Sequence, residues 1–313
     1  MKTPVVFLVF NRPDSTEKVL NSIREVQPSQ LLVIADGPRQ NQVGEAEKCA
    51  KVREIIDTVD WECEVLKNFS DINLGPGIRI ATGIDWVFKK VEEAIFLEDD
   101  CLPNYTFFQF CEELLEYYRD DKRIMSISGN NFLFKNKVKG NDQYSYFFSK
   151  YHHCWGWASW RRAWSYYDYQ MSDWDEVRDN DWLSDIFSEE EAFRYWKLIL
   201  NNVHNNQHVG WDYRWFFTCW LQNGLSVVPY VNLVTNIGHG KDATHTTQIT
   251  SLANIPSIPI SFPLKHPNFM IVSKKADQLT QKYRFGISKI NTCKFTLKEF
   301  FRLKIMKRIF SKN

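Results

Sequence analysis

Three short apolar runs, each ended abruptly by polar or charged residues and each followed by a segment of helical character, constrain the fold more than any other feature. Pro4 to Phe10 is continuously apolar and rich in β-branched residues, as expected of a strand buried on both faces, and it breaks at Asn11-Arg12-Pro13. Leu31 to Ala35 repeats the pattern and ends in Asp36-Gly37-Pro38. Ala94 to Leu97 ends in three consecutive acids, Glu98, Asp99 and Asp100. A third strand is expected at Glu64 to Leu66. Helices are expected from Asp14 or Ser15 to about Val26, from Glu45 to Thr58, from near Pro76 to Val91 and from Asn104 to Tyr118. Strand and helix in strict alternation, with short connections, predict an α/β fold with a doubly wound, mainly parallel sheet. In such sheets ligands bind at the carboxyl ends of the strands, where Asn11/Arg12, Asp36 and Glu98–Asp100 are expected to converge.

The acidic run carries the most chemistry. Adjacent carboxylates at the mouth of a buried strand repel one another and resist desolvation. A divalent cation removes that penalty, and hard oxygen ligands suit Mg²⁺ or Mn²⁺ bridged to substrate phosphates. The alternative is a solvated acidic cluster that favours the start of the next helix.

At 313 residues and 44% hydrophobic content, the chain has ample core for one large domain or two fused halves. Its formal charge of +1 conceals an asymmetry. Lys282 to Asn313 contains ten Lys or Arg and one acid; taken from totals of 39 and 38, this leaves 29 basic and 37 acidic residues before it. An acidic body with a basic tail argues against nucleic-acid binding by the core. The seven cysteines are odd in number and lack paired metal spacing, which suggests a reducing compartment. The first apolar run is too short for a signal peptide or membrane span, so a cytoplasmic enzyme body is expected. Ten of the twelve tryptophans lie between Trp155 and Trp220, which suggests a second, aromatic-rich lobe packed on the first.

With VFNRPDS after the first strand, IADGP after the second, NLGPGIRIATGIDWVF, LEDDCLP and GWDYRWF at 210–216, the chain resembles the GT-A glycosyltransferases over roughly residues 4–245. The Glu-Asp-Asp form of the acidic motif with a later Trp-Asp pair resembles the inverting N-acetylglucosaminyltransferase I type. It also resembles bacterial sugar transferases that build surface polysaccharide. The resemblance implies a nucleotide-sugar-binding half at 1–125 and an acceptor half at 126–275, and the charge asymmetry sets residues 276–313 apart as a basic tail.

The resemblance also assigns roles. Asn11 and Arg12 hold the donor nucleotide, with the arginine near the diphosphate, although a surface ion pair is the alternative for Arg12. Asp36 accepts from the base or ribose, or else belongs to an ordinary turn. Gly75, Gly77 and Arg79 admit the donor, a plain helix start being the other explanation of the glycines. Asp100 is the principal metal ligand, Asp99 holds the ribose or a metal-bound water, and Glu98 braces the pair or contacts the sugar. Asp212 is the general base of an inverting transfer, or an N-cap, or both. Trp155, Trp157 and Trp160 form an acceptor wall, although aromatic residues so spaced are commonly core. His245, or else His239, adds a metal ligand, and His152 and His153 are structural or touch the acceptor.

The implied partners are a nucleotide-sugar donor, with a UDP-sugar favoured, and a glycan or lipid-linked acceptor. The apolar stripe Leu297, Phe301, Ile305 and Ile309 among basic residues implies a helix lying on an anionic membrane, at the inner face of the plasma membrane. A disordered basic end, or a helix packed on the acidic body, is the alternative. A sugar nucleotidyltransferase would show a glycine-rich phosphate loop where this chain has Asn-Arg-Pro, and a glycoside hydrolase would leave Asp36 and Arg12 unexplained. A non-catalytic sugar-binding protein remains if Asp212 is only a cap.

Overall fold

A computed structural model describes residues 1–133, 138, 140, 143–207, 210–238 and 254–287. The chain begins β1 (Val5–Val9), α1 (Pro13–Val26), β2 (Gln30–Ala35), α2 (Glu45–Ile56), β3 (Glu64–Phe69), α3 (Gly75–Phe88) and β4 (Glu93–Glu98). There follow β5 (Cys101–Pro103), α4 (Tyr105–Tyr117), β6 (Ile124–Ser128), β7 (Tyr146–Ser149) and β8 (Trp157–Trp160). Short helices α5 (Arg161–Trp164), α6 (Trp174–Asp179) and α7 (Leu183–Ile186) lead to α8 (Glu190–His204) and α9 (Asp212–Leu221). The described chain closes with β9 (Leu225–Pro229), β10 (Val234–Asn236) and α10 (Lys274–Tyr283).

An eight-stranded sheet has the order β3-β2-β1-β4-β8-β6-β9-β7. Strands β3, β2, β1, β4, β6 and β9 run one way, while β8 and β7 run the other. The mainly parallel α/β expectation therefore stands, with the antiparallel strands confined to the second half. The period-2 alternation of a strand assigns side chains to faces. Val5, Phe7 and Val9 join the core under α1, α2 and α4, whereas Val6 and Leu8 join the opposite core under α3 and α9. Strands β2 and β4 divide in the same way: Leu31, Val33, Ile95 and Leu97 face one side, and Leu32, Ile34, Ala94 and Phe96 the other. Burial of each such residue contributes about 1.5–3 kcal/mol, which explains why these runs are apolar throughout.

A third cluster gathers Tyr151, Trp174, Trp196, Phe216 and Trp220, with Phe285 and Ile287 packed into it. Residues 276–287, read from sequence as the start of a tail, thus belong partly to this body. Ala276 and Asp277 are buried, and Asp277 accepts hydrogen bonds from Ser149 Oγ at 2.6 Å and the Lys150 amide at 3.3 Å. The remainder of the expected tail, with Leu297, Phe301, Ile305 and Ile309, lies outside the described residues. Among the described residues no helix is long and apolar enough to cross a membrane.

Candidate functional site

A cavity of about 670 Å³ opens at the carboxyl ends of β1, β2 and β4. Arg12, Asp36, Glu98, Asp99 and Asp100 all line it, so the expected convergence of strand ends is found. Asp212 and Trp155 line it as well, contributed by the second half of the chain.

Arg12 is the residue before Pro13, which opens α1, and Pro at this position suits a helix start because its missing N–H needs no partner. No side chain caps that helix, so the expected cap at Asp14 or Ser15 is corrected: Arg12 is the flanking residue and its carbonyl receives the Thr16 amide at 2.9 Å. Its guanidinium turns across the end of β4. One nitrogen, Nη1, donates to Asp99 Oδ1 at 3.0 Å and Asp100 Oδ2 at 2.7 Å. Asp99 Oδ2 also accepts from the Phe10 amide at 3.0 Å. Asp100 Oδ1 accepts from Asn236 Nδ2 at 3.2 Å. Asn236 reaches that carboxylate because β10 pairs antiparallel with β5, Asn236 opposite Cys101. The next turn, at Gly238, passes so close that an added Cβ would stand 2.2 Å from Asp100 Oδ2, which leaves room only for glycine.

Acid outweighs base in this part of the cavity. Burial, reinforced by Asp100, Asp99 and Asp212, holds the Glu98 carboxyl well above the usual carboxylate range. Glu98 keeps some exposure because it faces the cavity, yet it lies too deep for water to screen its neighbours. Asp99 is pushed up to about 6, by burial first, with Asp100 adding to the effect and Arg12 opposing it. Among the described residues no three His, Cys, Asp or Glu side chains form a ready-made metal cluster. His245 and His239 lie outside the described residues.

Other predicted residues are committed elsewhere. Asp36 accepts from four donors: the Gly37 and Leu74 amides at 2.9 Å, the Gly75 amide at 2.9 Å and Asn73 Nδ2 at 3.2 Å. A carboxylate offers about four lone-pair sites, so Asp36 is filled by the loop it braces. A base or ribose contact would have to displace one of those donors. Gly75 has a φ of 75°, a left-handed conformation that glycine adopts without strain, and this aims its amide at Asp36. Gly77 is buried inside α3 and is not among the residues lining the cavity. Arg79 lines the cavity but spends its donors on the Ala35 carbonyl, at 3.1 Å, and on Asn68. Asn11 turns away to Glu45 Oε1 at 2.8 Å, which corrects its expected place against the donor.

Two of the three expected acceptor tryptophans are corrected. Trp157 is 1% exposed and stacks on Phe96, with ring centroids 4.5 Å apart, beneath the sheet. Trp160 is equally buried and donates from Nε1 to the Leu115 carbonyl at 3.2 Å. On β8, an interior strand, both faces are covered, so these rings pack the core. Trp155 precedes that strand and does line the cavity.

Asp212 is the first residue of α9; the cap position belongs to Trp211, so the N-cap reading is corrected. Among the described residues the Asp212 carboxylate has no hydrogen-bond partner, although it acts electrostatically on Glu98. The turn before it is fixed by buried Arg214, which donates to the carbonyls of Gly210 and Tyr169 at 2.8 Å and of Val203 at 3.1 Å. His152 and His153 also line the cavity, and burial lowers both to about 3, so these rings are neutral.

Several lining residues escaped the sequence reading: Arg39, Phe132, Asn236, Tyr213, Phe216 and Arg284. Arg39 is recognisable only through its partner, Glu45, which also receives Asn11 and so ties α2 to the loop after β1. Tyr213 and Phe216 stand in the GWDYRWF segment without a role of their own there, and the other four sit in none of the quoted motifs.

No family model matches this chain, and no curated protein matches it. Among solved structures it is similar to HddC from Yersinia pseudotuberculosis, with a TM-score of 0.34 at 8% identity over 51% of this chain and 77% of that one. An active-site mutant of LgtC gives a TM-score of 0.36 at 9% identity, covering 56% of this chain and 65% of that one. The 4-diphosphocytidyl-2C-methyl-D-erythritol synthase of Anaerococcus prevotii gives 0.35 at 9%, covering 60% and 85%. Likenesses this slight identify no family, and the geometry of the cavity carries the functional argument alone.

Proposed function

We propose that the chain is a glycosyltransferase of the GT-A kind that moves a sugar from a nucleotide-sugar donor, a UDP-sugar in the first instance, to a hydroxyl of a glycan or lipid-linked glycan. One observation carries the reading. A single cavity joins a cation-bearing strand-end cluster, Arg12 with Glu98, Asp99 and Asp100, to a carboxylate without a described hydrogen-bond partner, Asp212. The first group suits a diphosphate leaving group and the second suits an acceptor hydroxyl.

The donor set also fits a hard divalent cation. The Glu98 carboxylate makes no described hydrogen bond, Asp99 and Asp100 share one arginine nitrogen, and burial together with the crowding of like charges makes Glu98 and Asp99 weaker acids than usual, a penalty that a bound cation would relieve. Asp100, with Asp99 or Glu98, would hold Mn²⁺ or Mg²⁺; His245 stays a proposed further ligand. Such an ion, when bound, supplies Lewis-acid stabilisation of the departing nucleoside diphosphate. Arg12 orients the diphosphate and carries part of its charge. Asp212 takes the acceptor proton as the hydroxyl attacks, which inverts the anomeric centre. The acidic body and basic tail fit an enzyme held at the inner face of the plasma membrane and acting in surface polysaccharide assembly.

A sugar nucleotidyltransferase is the second reading, because it too needs diphosphate chemistry at these strand ends. Asp212 favours the transferase, since a phosphate attacking a nucleotide needs no general base. A thermal-shift panel of nucleotide sugars with Mn²⁺, followed by turnover with and without EDTA, tests the proposal. Stabilisation by nucleotide sugars and release of nucleoside diphosphate that EDTA stops, lost in Asp100→Ala, is the expected result. Release of pyrophosphate from a nucleoside triphosphate and a sugar phosphate would establish the second reading, and EDTA-insensitive turnover would remove the metal.

A further inference from the structure

Arg284 is the one arginine lining the cavity that has neither an ion pair nor a hydrogen bond from its guanidinium among the described residues. The other three are committed: Arg12 to Asp99 and Asp100, Arg39 to Glu45, and Arg79 to Ala35 and Asn68. Arg284 stands instead among aromatic rings. Its guanidinium carbon lies 5.1 Å from the Phe132 centroid, 5.8 Å from Trp155 and 5.5 Å from Phe285.

Its position is built, not incidental. α10 starts at a Ser273 cap and is pinned to the sheet through Asp277 and Ser149. Just past the helix, Phe285 packs 4.9 Å from Trp196 and 5.4 Å from Tyr151, while Gly286, with a φ of 66°, reverses the chain. Phe132 and Trp155 support each other edge to face at 5.0 Å. Rings over the faces of a guanidinium are favourable contacts that leave its in-plane N–H edge open. That edge is a planar fork, matched to two oxygens of a carboxylate or phosphate.

Arg284 also lies at a particular end of the cavity. Its charge acts on His153, Cys154 and Tyr213, and Asp212 acts on the last two of these as well. Asp36, Asn73 and Arg79 are gathered around the ends of β2 and β3 instead. A cation that shares two neighbours with the proposed base falls on the acceptor side of this reading.

We infer that Arg284, flanked by Trp155 and Phe132, forms an acceptor subsite for a sugar that carries a negatively charged oxygen group, a carboxylate or a phosphate. The acceptor assignment rests on the transferase reading above. Apolar ring surface suits the sugar's C–H face, and the guanidinium edge fixes which way its charged group points.

The full-length protein can be tested directly by saturation-transfer NMR with glucuronate, glucose 6-phosphate and glucose, and by titration of each. At least one of the charged sugars should bind about tenfold or more tightly than glucose, and which one does so separates carboxylate from phosphate. Arg284→Gln should remove that difference, while Arg284→Lys, which keeps the charge without the fork, should retain part of it. Equal binding of all three sugars to the wild-type protein overturns the inference without need of any variant. So does a preference that survives in Arg284→Gln at an unchanged melting temperature. Nucleotide-sugar binding is read in the same samples. Nucleotide-sugar binding without anion preference removes the Arg284 subsite alone; Arg284-dependent anion preference without nucleotide-sugar binding removes the transferase reading, and with it the acceptor role.

Discussion

Arg12 Nη1 lies 2.7 Å from Asp100 Oδ2, with the Arg12 side chain 19% exposed and that of Asp100 12%. This ion pair, shared with Asp99, compensates charge that the end of β4 would otherwise bury alone. Removing one partner of a buried pair leaves the other uncompensated, which is costlier than the pair itself is stabilising. Arg12→Ala should therefore lower stability by about 2–3 kcal/mol, the upper range for such losses being reduced by the arginine's partial exposure. Added Mn²⁺ should restore more of that loss in the variant than it adds to the wild type, because a cation would replace the missing charge. Thermal melts of both proteins in EDTA and in Mn²⁺ measure this; equal melting temperatures in EDTA would contradict the role of Arg12.

Asp212→Asn tests the base. The substitution keeps the shape of the side chain at the first residue of α9 and removes its ability to accept a proton. Turnover should fall by about 10²-fold or more, with donor affinity nearly unchanged and stability within about 0.5 kcal/mol, since no described hydrogen bond is lost. Product NMR should show inversion at the anomeric carbon in the wild type. An undiminished rate per folded molecule would remove Asp212 from the chemistry.

Trp157 and Trp155 are two residues apart in sequence and should behave oppositely. Trp157→Ala opens a void between Phe96 and Trp211, whose ring centroids lie 4.5 Å and 5.3 Å from that of Trp157. It should cost about 3–5 kcal/mol, as large-to-small core changes do. Trp155→Ala should leave most of the stability and raise the acceptor KM. Chemical denaturation and acceptor kinetics on the pair measure both halves of the statement.

Asp277 predicts a pH dependence of stability. Burial, with Glu189 adding and Ser149 and Lys150 opposing, pushes its carboxyl up to about 7 in the folded chain; an unfolded Asp titrates near about 3.9. Between those values the folded chain keeps a proton that the unfolded chain has released. Stability must therefore fall as pH rises from about 4 to about 7, and stay level in this respect on either side. Asp277→Asn cannot titrate, so its urea midpoint should decline less than that of the wild type between pH 5 and pH 8, by the equivalent of a few kcal/mol at most. Parallel pH profiles for the two proteins would show that Asp277 ionises normally.

Much of the first half was legible in the sequence because its signals are local. A strand buried on both faces must be apolar throughout, a helix between such strands must carry its own start signals, and the change from apolar to charged residues marks each strand's end. Those rules sufficed for β1, β2 and β4 and for the meeting of Arg12, Asp36 and Glu98–Asp100 in one cavity. They could not say how each polar group is spent. Asp36 and a nucleotide-binding aspartate look alike in sequence, and only the fold brings the 73–75 loop amides onto this one. Trp155, Trp157 and Trp160 form one aromatic stripe on paper; pairing of β8 between β4 and β6 sends the last two into the core and leaves the first at the cavity. Asn236 and Arg284 carry no motif at all. They reach the site through contacts between segments more than a hundred residues apart, β10 on β5 and α10 on β7. Sequence determined the strands and their charged ends, because burial is dictated residue by residue. Tertiary structure decided which polar groups remain open to a ligand, because that depends on what the rest of the chain packs against them.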